Sequence, residues 1–225
     1  MIRTLRFMLV AGLSALATAT VPAAEVTLKV EEKAPPQELP SEITGVLQGK
    51  SIRLSHGDKT AYEFWLRSEI PVTSAPESPA KSLDVVKQAA LIGAVRIGSD
   101  SRDYRDDELA AGLYTMRFGL QPSDGNHLGT AEFSYFAVLI PAKYDARPDG
   151  ITDYKAMVKA SSKGTSTDHP LILSLRPVAD GGGTLPSLTE PKPAHKSVRV
   201  RVPGKSGQSK AELIFELVFE GRAKE

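Results

Sequence analysis

Asp124, Asn126 and His127 crowd into the stretch Gln121 to Gly129, which reads QPSDGNHLG. Asn126 is the only asparagine in the chain, and His127 is one of four histidines. Carboxylate and amide oxygens on a loop suit Ca2+ or the hydroxyls of a sugar, and an imidazole suits another divalent metal. The same residues also make good turn chemistry. Pro122 fixes its own φ and stops a strand, while Asp124-Gly125-Asn126 tolerates the positive φ that a reversal needs. A second charged run, Asp100 to Glu108, reads DSRDYRDDE. Asp103, Asp106 and Asp107 could chelate a cation there, or Arg102 and Arg105 could neutralise them in a solvated loop. If the two loops meet, Asp103, Asp106, Asp124 and His127 form the metal-binding set of a hydrolase.

Two further positions carry possible chemistry. Trp65 is the only tryptophan. It alternates with Phe64 and Leu66, so it points to the opposite side of its strand, together with Glu63 and Arg67. Exposed, it would be a stacking platform for a sugar ring; covered, it would be core. Asp168 could orient His169 as in a general-base pair, but the same residues also suit a turn at a strand entry. His56 and His195 read as surface residues. The sequence lacks a nucleophile elbow, a zincin helix, a P-loop and a dinucleotide fingerprint. The glycines of Asp180 to Gly183 have no strand-to-helix context. Paired catalytic carboxylates need not be neighbours in sequence, so no motif decides for or against them.

These residues are carried by strand patterns. Val26, Leu28 and Val30 alternate with polar neighbours, as do Tyr62, Phe64 and Leu66. Leu91, Val95 and Ile97 are read on one face, with Arg96 opposite. Tyr114, Met116, Phe118 and Leu120 alternate with Thr115, Arg117 and Gly119. Val198, Val200 and Val202, then Leu213, Phe215, Leu217 and Phe219, complete the series. Period-two alternation buries one face and wets the other. Phe133 to Ile140 and Leu171 to Leu175 are apolar on both faces, so they are placed as central strands. Ile43 to Leu47 and Ser51 to Leu54 are weaker strands. About nine or ten short strands between glycines and prolines predict an antiparallel β-sandwich, Ig-like or jelly-roll-like. Ile151, Tyr154, Met157 and Val158 have helical spacing, with Asp149 or Thr152 as cap and Gly164 as stop. A second short helix is placed over Ser82 to Ala89.

Arg3 and Arg6 precede an apolar run from Phe7 to Val21, followed by Pro22-Ala23-Ala24. That is the pattern of a secretory leader cut after Ala23 or Ala24. The expected organisation is a signal peptide over 1–23, an N-terminal strand and linker over 24–41, and a sandwich domain over 42–225. A flexible Gly/Pro-rich loop is placed at 177–196. The chain has no cysteine, which removes disulfides, thiolate ligands and a cysteine nucleophile together. Taking the leader's two arginines from the 28 basic side chains leaves 26 against 27 acidic ones. That balance argues against nucleic acid or an anionic membrane as partner. No stretch beyond the leader is long and apolar enough for a transmembrane anchor.

The segments DYRDDELAAGLYTMRFGLQPSDGNHLGT and SSKGTSTDHPLILSLRP resemble those of a group of uncharacterised exported bacterial proteins with β-sandwich-type domains. That resemblance covers the middle third to half of the chain, and it implies no activity, cofactor or catalytic residue. The reading is therefore an exported, periplasmic or secreted, cysteine-free β protein. Its expected function is a non-catalytic binding or structural module of the cell envelope, partnered by a protein or a glycan and needing no cofactor. The alternative is the metal-dependent hydrolase, with Ca2+ or another divalent metal at its Asp/His loops.

Overall fold

A computed structural model describes residues 25–121 and 132–223. The first half contributes β1 (Val26–Glu31), α1 (Ser41–Thr44), β2 (Ser51–His56), β3 (Lys59–Leu66), β4 (Ile70–Pro71) and β5 (Leu91–Ile97). Next come β6 (Ser101–Arg102), β7 (Glu108–Leu109), β8 (Gly112–Leu120), β9 (Tyr135–Pro141) and α2 (Tyr154–Ser161). The chain closes with β10 (Leu171–Pro177), β11 (Ser187–Lys192), β12 (His195–Ser206) and β13 (Ser209–Glu220).

The protein is mainly β, but it is one curled sheet rather than two stacked ones. Eleven strands join in the order β1-β2-β3-β5-β8-β9-β10-β13-β12-β11, with β4 added to β12. Neighbours on this path pair antiparallel, and β4 pairs parallel to β12 through Ile70 opposite Gly204. Only three residues separate β3 from β4. A strand near one end of the order is thus tied to a strand near the other, and the sheet must bend round. The bend brings the Tyr62 and Phe219 rings to 5.5 Å, and His56 Nε2 to 2.5 Å from Glu220 Oε1. Sheets of this size usually curl, because strand twist accumulates from one neighbour to the next.

The inner face holds the side chains whose alternation marked them in the sequence. Leu54, Phe64, Val95, Met116, Phe118, Val200, Phe215 and Leu217 form one buried cluster. Leu91 is the exception. The register between β5 and β8 shifts between Leu91 and Gly93, which turns Leu91 to the outer face while Val95 and Ile97 stay inside. A Cβ on Gly93 would lie 2.6 Å from the Trp65 carbonyl oxygen, so the shift requires glycine.

The outer face is covered in two places, which is why the central strands are apolar on both sides. Leu39, Ile43, Leu47 and Ala142 pack over Trp65, Leu91 and Ala94. Met157 and Ala160 of α2 pack over Phe136, Val138, Ile140 and Ile172. β9 and β10 accordingly lie in the middle of the order.

Several local expectations change. Ile43 is in a helical turn entered at Pro40, where Ile43 and Thr44 donate to the Pro40 carbonyl; of this region only Leu47 makes a β-bridge, an isolated one to Arg67 just past β3. α2 is capped by Asp153, which accepts from Ala156 N at 2.9 Å, and not by Asp149 or Thr152. Ser82 to Ala89 is not α-helical. A short 3-10 turn over Pro79–Lys81 precedes it, and Val86 bridges to Val72. Within 177–196, Ser187–Lys192 is strand, paired to β12. No helix among the described residues is long and apolar enough to cross a membrane.

Candidate ligand cleft

Asp103 organises the DSRDYRDDE run. β6 and β7 form a small hairpin, with Ser101 opposite Leu109 and Arg102 opposite Glu108. At its tip, Asp103 Oδ1 accepts from the backbone N–H of Arg105 at 2.8 Å and of Asp107 at 3.0 Å. Asp106 takes a positive φ of 70°, and its carbonyl accepts from Arg102 Nη1 at 2.7 Å. Aspartate is one of the few residues that tolerates this left-handed backbone.

The hairpin is then fastened to the sheet. β10 pairs with β13 only from Ser174 onward, so the first part of its edge is free of that ladder. The hairpin tip occupies it. Ile172 N donates to Asp103 Oδ2 at 2.9 Å, and Tyr104 N donates to the Ile172 carbonyl at 3.0 Å. Ala223 N donates to the Tyr104 carbonyl at 2.8 Å, and Arg222 Nε reaches Asp106 Oδ1 at 3.0 Å. Burial pushes the Asp103 carboxyl up to about 6, although its three backbone donors pull the other way.

A second segment faces the hairpin. Ser161 Oγ donates to the Leu139 carbonyl at 2.6 Å and accepts from Leu171 N at 2.9 Å, which locks the end of α2 onto β9 and β10. Gly164 then lies against Pro141, where a Cβ would meet Pro141 Cγ at 2.6 Å. Beyond it, Thr165 Oγ1 accepts from Thr167 N at 3.0 Å in a tight turn.

Between hairpin and turn lies a cleft of about 550 Å³. Asp100, Arg102, Asp107 and Glu108 line one wall; Thr165, Ser166 and Thr167 line the other. Leu109 and Ala110 supply apolar surface. Asp100 is itself held in place, since its Oδ1 accepts from Ala111 N at 2.8 Å. Carboxylates accept hydrogen bonds, the guanidinium donates them, and hydroxyls do both. Such a set complements a ligand that carries many hydroxyl groups.

The residues singled out in the sequence are distributed differently. Asp124, Asn126 and His127 lie outside the described residues. Trp65 is fully buried, and its Nε1 donates to the Lys33 carbonyl at 3.0 Å, so it offers no stacking face. α1 and its flanks cover it, and Glu63 beside it is buried with Lys33 and Ser51 as partners. Asp103 is 1% exposed and committed to backbone donors; Asp106 is paired with Arg222 and Arg102. Among the described residues, no three histidine or carboxylate side chains converge as a metal site. Asp168 and His169 are both exposed, and His169 N donates to Thr167 Oγ1. His195 is buried rather than on the surface, with its ring nitrogens 3.2 and 3.0 Å from the Pro193 and Arg222 carbonyls.

Sequence reasoning marked the acidic run, but of the carboxylates it singled out there only Asp107 lines the cleft, and it missed the hydroxyl wall. Thr165-Ser166-Thr167 was visible as a polar run after a helix stop, yet nothing local ties it to residues some sixty positions earlier. No family model matches this chain, and neither does any curated protein or solved structure, so the chemistry of the cleft rests on its own residues.

Proposed function

We propose that the protein is an exported, non-catalytic binding module of the cell envelope, and that the cleft between the β6–β7 hairpin and Thr165–Thr167 takes a glycan. The observation that carries this reading is the composition of two fixed walls. Carboxylates and a guanidinium face three hydroxyl side chains across about 550 Å³, a volume suited to a small ligand. Both walls are anchored to β10, the hairpin at Ile172 and the turn through Ser161 at Leu171, so little order has to be gained on binding. The leader pattern in the sequence supports export, and loops held on a rigid sheet are common carriers of recognition.

The test is an amide-shift titration of the isotope-labelled protein with a panel of neutral and amino-bearing cell-wall oligosaccharides. Shifts confined to residues 100–110 and 164–167 are expected. Asp107→Asn and Ser166→Ala should each weaken the response about ten-fold, the worth of one hydrogen bond to a charged or polar partner. Shifts centred elsewhere, or none with any member of the panel, would overturn the assignment.

A further inference from the structure

Nine lysines among the described residues are exposed without an ion pair to a described carboxylate, and four of them gather on one face. Lys33, Lys81, Lys192, Lys196 and Lys205 each pair with a carboxylate. Lys143, Lys155, Lys159 and Lys163 are all exposed, and none pairs with a carboxylate among the described residues. They are brought together by the fold. Met157, Ala160 and Ser161 turn one face of α2 into the sheet. Lys155 and Lys159, four apart, fall on its outer face, and Lys163 follows in the 3-10 turn that extends the helix. Lys143 and Tyr144 come from the neighbouring 3-10 turn after β9. The ammonium groups of Lys143 and Lys163 each lie 4.8 Å from the centre of the Tyr144 ring. Tyr144 is 36% exposed, one of only a few large apolar side chains at the surface among the described residues.

We propose that this face, formed by Lys143, Tyr144, Lys155, Lys159 and Lys163, docks on the surface of a bilayer that carries anionic phospholipid. The proposal departs from the expectation drawn from the near-zero net charge, because the field that matters acts within a Debye length of about 8 Å and is set by the local cluster. The chemistry favours a diffuse negative plane over a fitted ligand. The charges are flexible ammonium groups on long stems, without a guanidinium fork to grip a phosphate from two sides. A half-exposed tyrosine between them has an apolar body and a polar tip, the combination that settles at headgroup depth. The proposal is independent of the glycan cleft, since none of these five residues lines it.

The test is co-sedimentation of the purified protein with vesicles of phosphatidylcholine alone or with about one-third phosphatidylglycerol, at low and physiological salt. Binding should require the anionic lipid and fall as salt rises. At about five-fold per lysine, replacing all four by glutamine should lower partitioning some several hundred-fold. Single replacements should give graded losses, Tyr144→Ala should weaken binding several-fold, and Lys29→Gln with Lys210→Gln should leave it intact. Circular dichroism of each variant checks that the sheet is retained. Equal binding to neutral vesicles, undiminished binding of the four-lysine variant, or binding through these lysines to a soluble acidic polysaccharide but not to vesicles would each overturn the proposal. None of these outcomes bears on the oligosaccharide titration.

Discussion

Arg117 and Asp145 meet in a two-pronged ion pair, with Nε to Oδ2 at 2.7 Å and Nη2 to Oδ1 at 2.8 Å. Both side chains have no solvent exposure. Thr115 Oγ1 donates to Asp145 Oδ2 at 2.6 Å. The guanidinium also donates to the backbone carbonyls of Ala89, Arg147, Pro148 and Ile151, at 2.7 to 3.2 Å. One side chain on β8 thereby holds the lead-in to β5 at Ala89 and the approach to α2 from Asp145 to Ile151.

That arrangement predicts an asymmetry. Asp145→Ala leaves a buried charge uncompensated and should cost about 3–5 kcal/mol, measured by urea unfolding. Arg117→Met should cost at least as much, because it strips the Ala89, Pro148 and Ile151 carbonyls of their donor besides the carboxylate, while the Arg147 carbonyl keeps Gly150 N at 3.1 Å. The double variant should be scarcely better than Arg117→Met alone, since those three carbonyls remain unpaired. Full recovery in the double variant would mean that the ion pair, not the backbone clamp, is the structural element.

Trp65 gives a spectroscopic test of the covered outer face. With no exposure and its indole N–H on the Lys33 carbonyl, it should emit at short wavelength and resist quenching by iodide. As the only tryptophan it reports alone. Trp65→Ala should destabilise by about 3–5 kcal/mol through the cavity it leaves. Emission like that of free tryptophan would show that residues 39–47 do not cover β3.

Trp65 and Arg117 also mark where the sequence stopped being legible. The inner face was readable at β8, β12 and β13 because alternation is a local property that one buried side is enough to produce. The outer face depends on segments far away in the chain. Arg117 reads as a wet position between Met116 and Phe118, and nothing nearby announces that Asp145 and four carbonyls will enclose it. Glu63 beside Trp65 suggested water for the same reason, yet Lys33 and Ser51 satisfy it in the interior. The curl of the sheet was hidden too, since it depends on the short parallel pairing of Ile70 with Gly204. In the cleft, the acidic run was conspicuous, whereas its docking on the β10 edge required knowing which edge was left unpaired.

The N-terminus of α2 offers a smaller test. Asp153 accepts from Ala156 N at 2.9 Å in an extended cap conformation. Asp153→Ala should cost about 1 kcal/mol, while Asp153→Ser should be nearly neutral. Asp149→Ala and Thr152→Ala should change little. A larger effect at Asp149 or Thr152 would place the cap at that residue instead.

Asp103 should make stability depend on pH in the direction opposite to most carboxylates. Its folded pKa of about 6 exceeds the ordinary value of 3.8 because burial disfavours the charge. The folded state therefore takes up a proton that the unfolded state still releases. The contribution of this group to stability is fully present below about 4 and is lost as pH rises through about 6. The shift of about two units sets an upper bound near 3 kcal/mol. Glu38, Asp84 and Glu132, held below the usual range chiefly by hydrogen bonds to Arg96, Tyr135 and Lys192, act at lower pH and in the reverse sense. Between pH 7.5 and 5, wild type should thus gain stability relative to Asp103→Asn, and the Asp103 carboxyl carbon should titrate near 6 by NMR. Asp103→Ala, which orphans three backbone donors, should be the least stable of the three at every pH. A carboxyl carbon that titrates near 4 would mean that the three N–H bonds outweigh burial, and the pH effect would then vanish with the hairpin still docked.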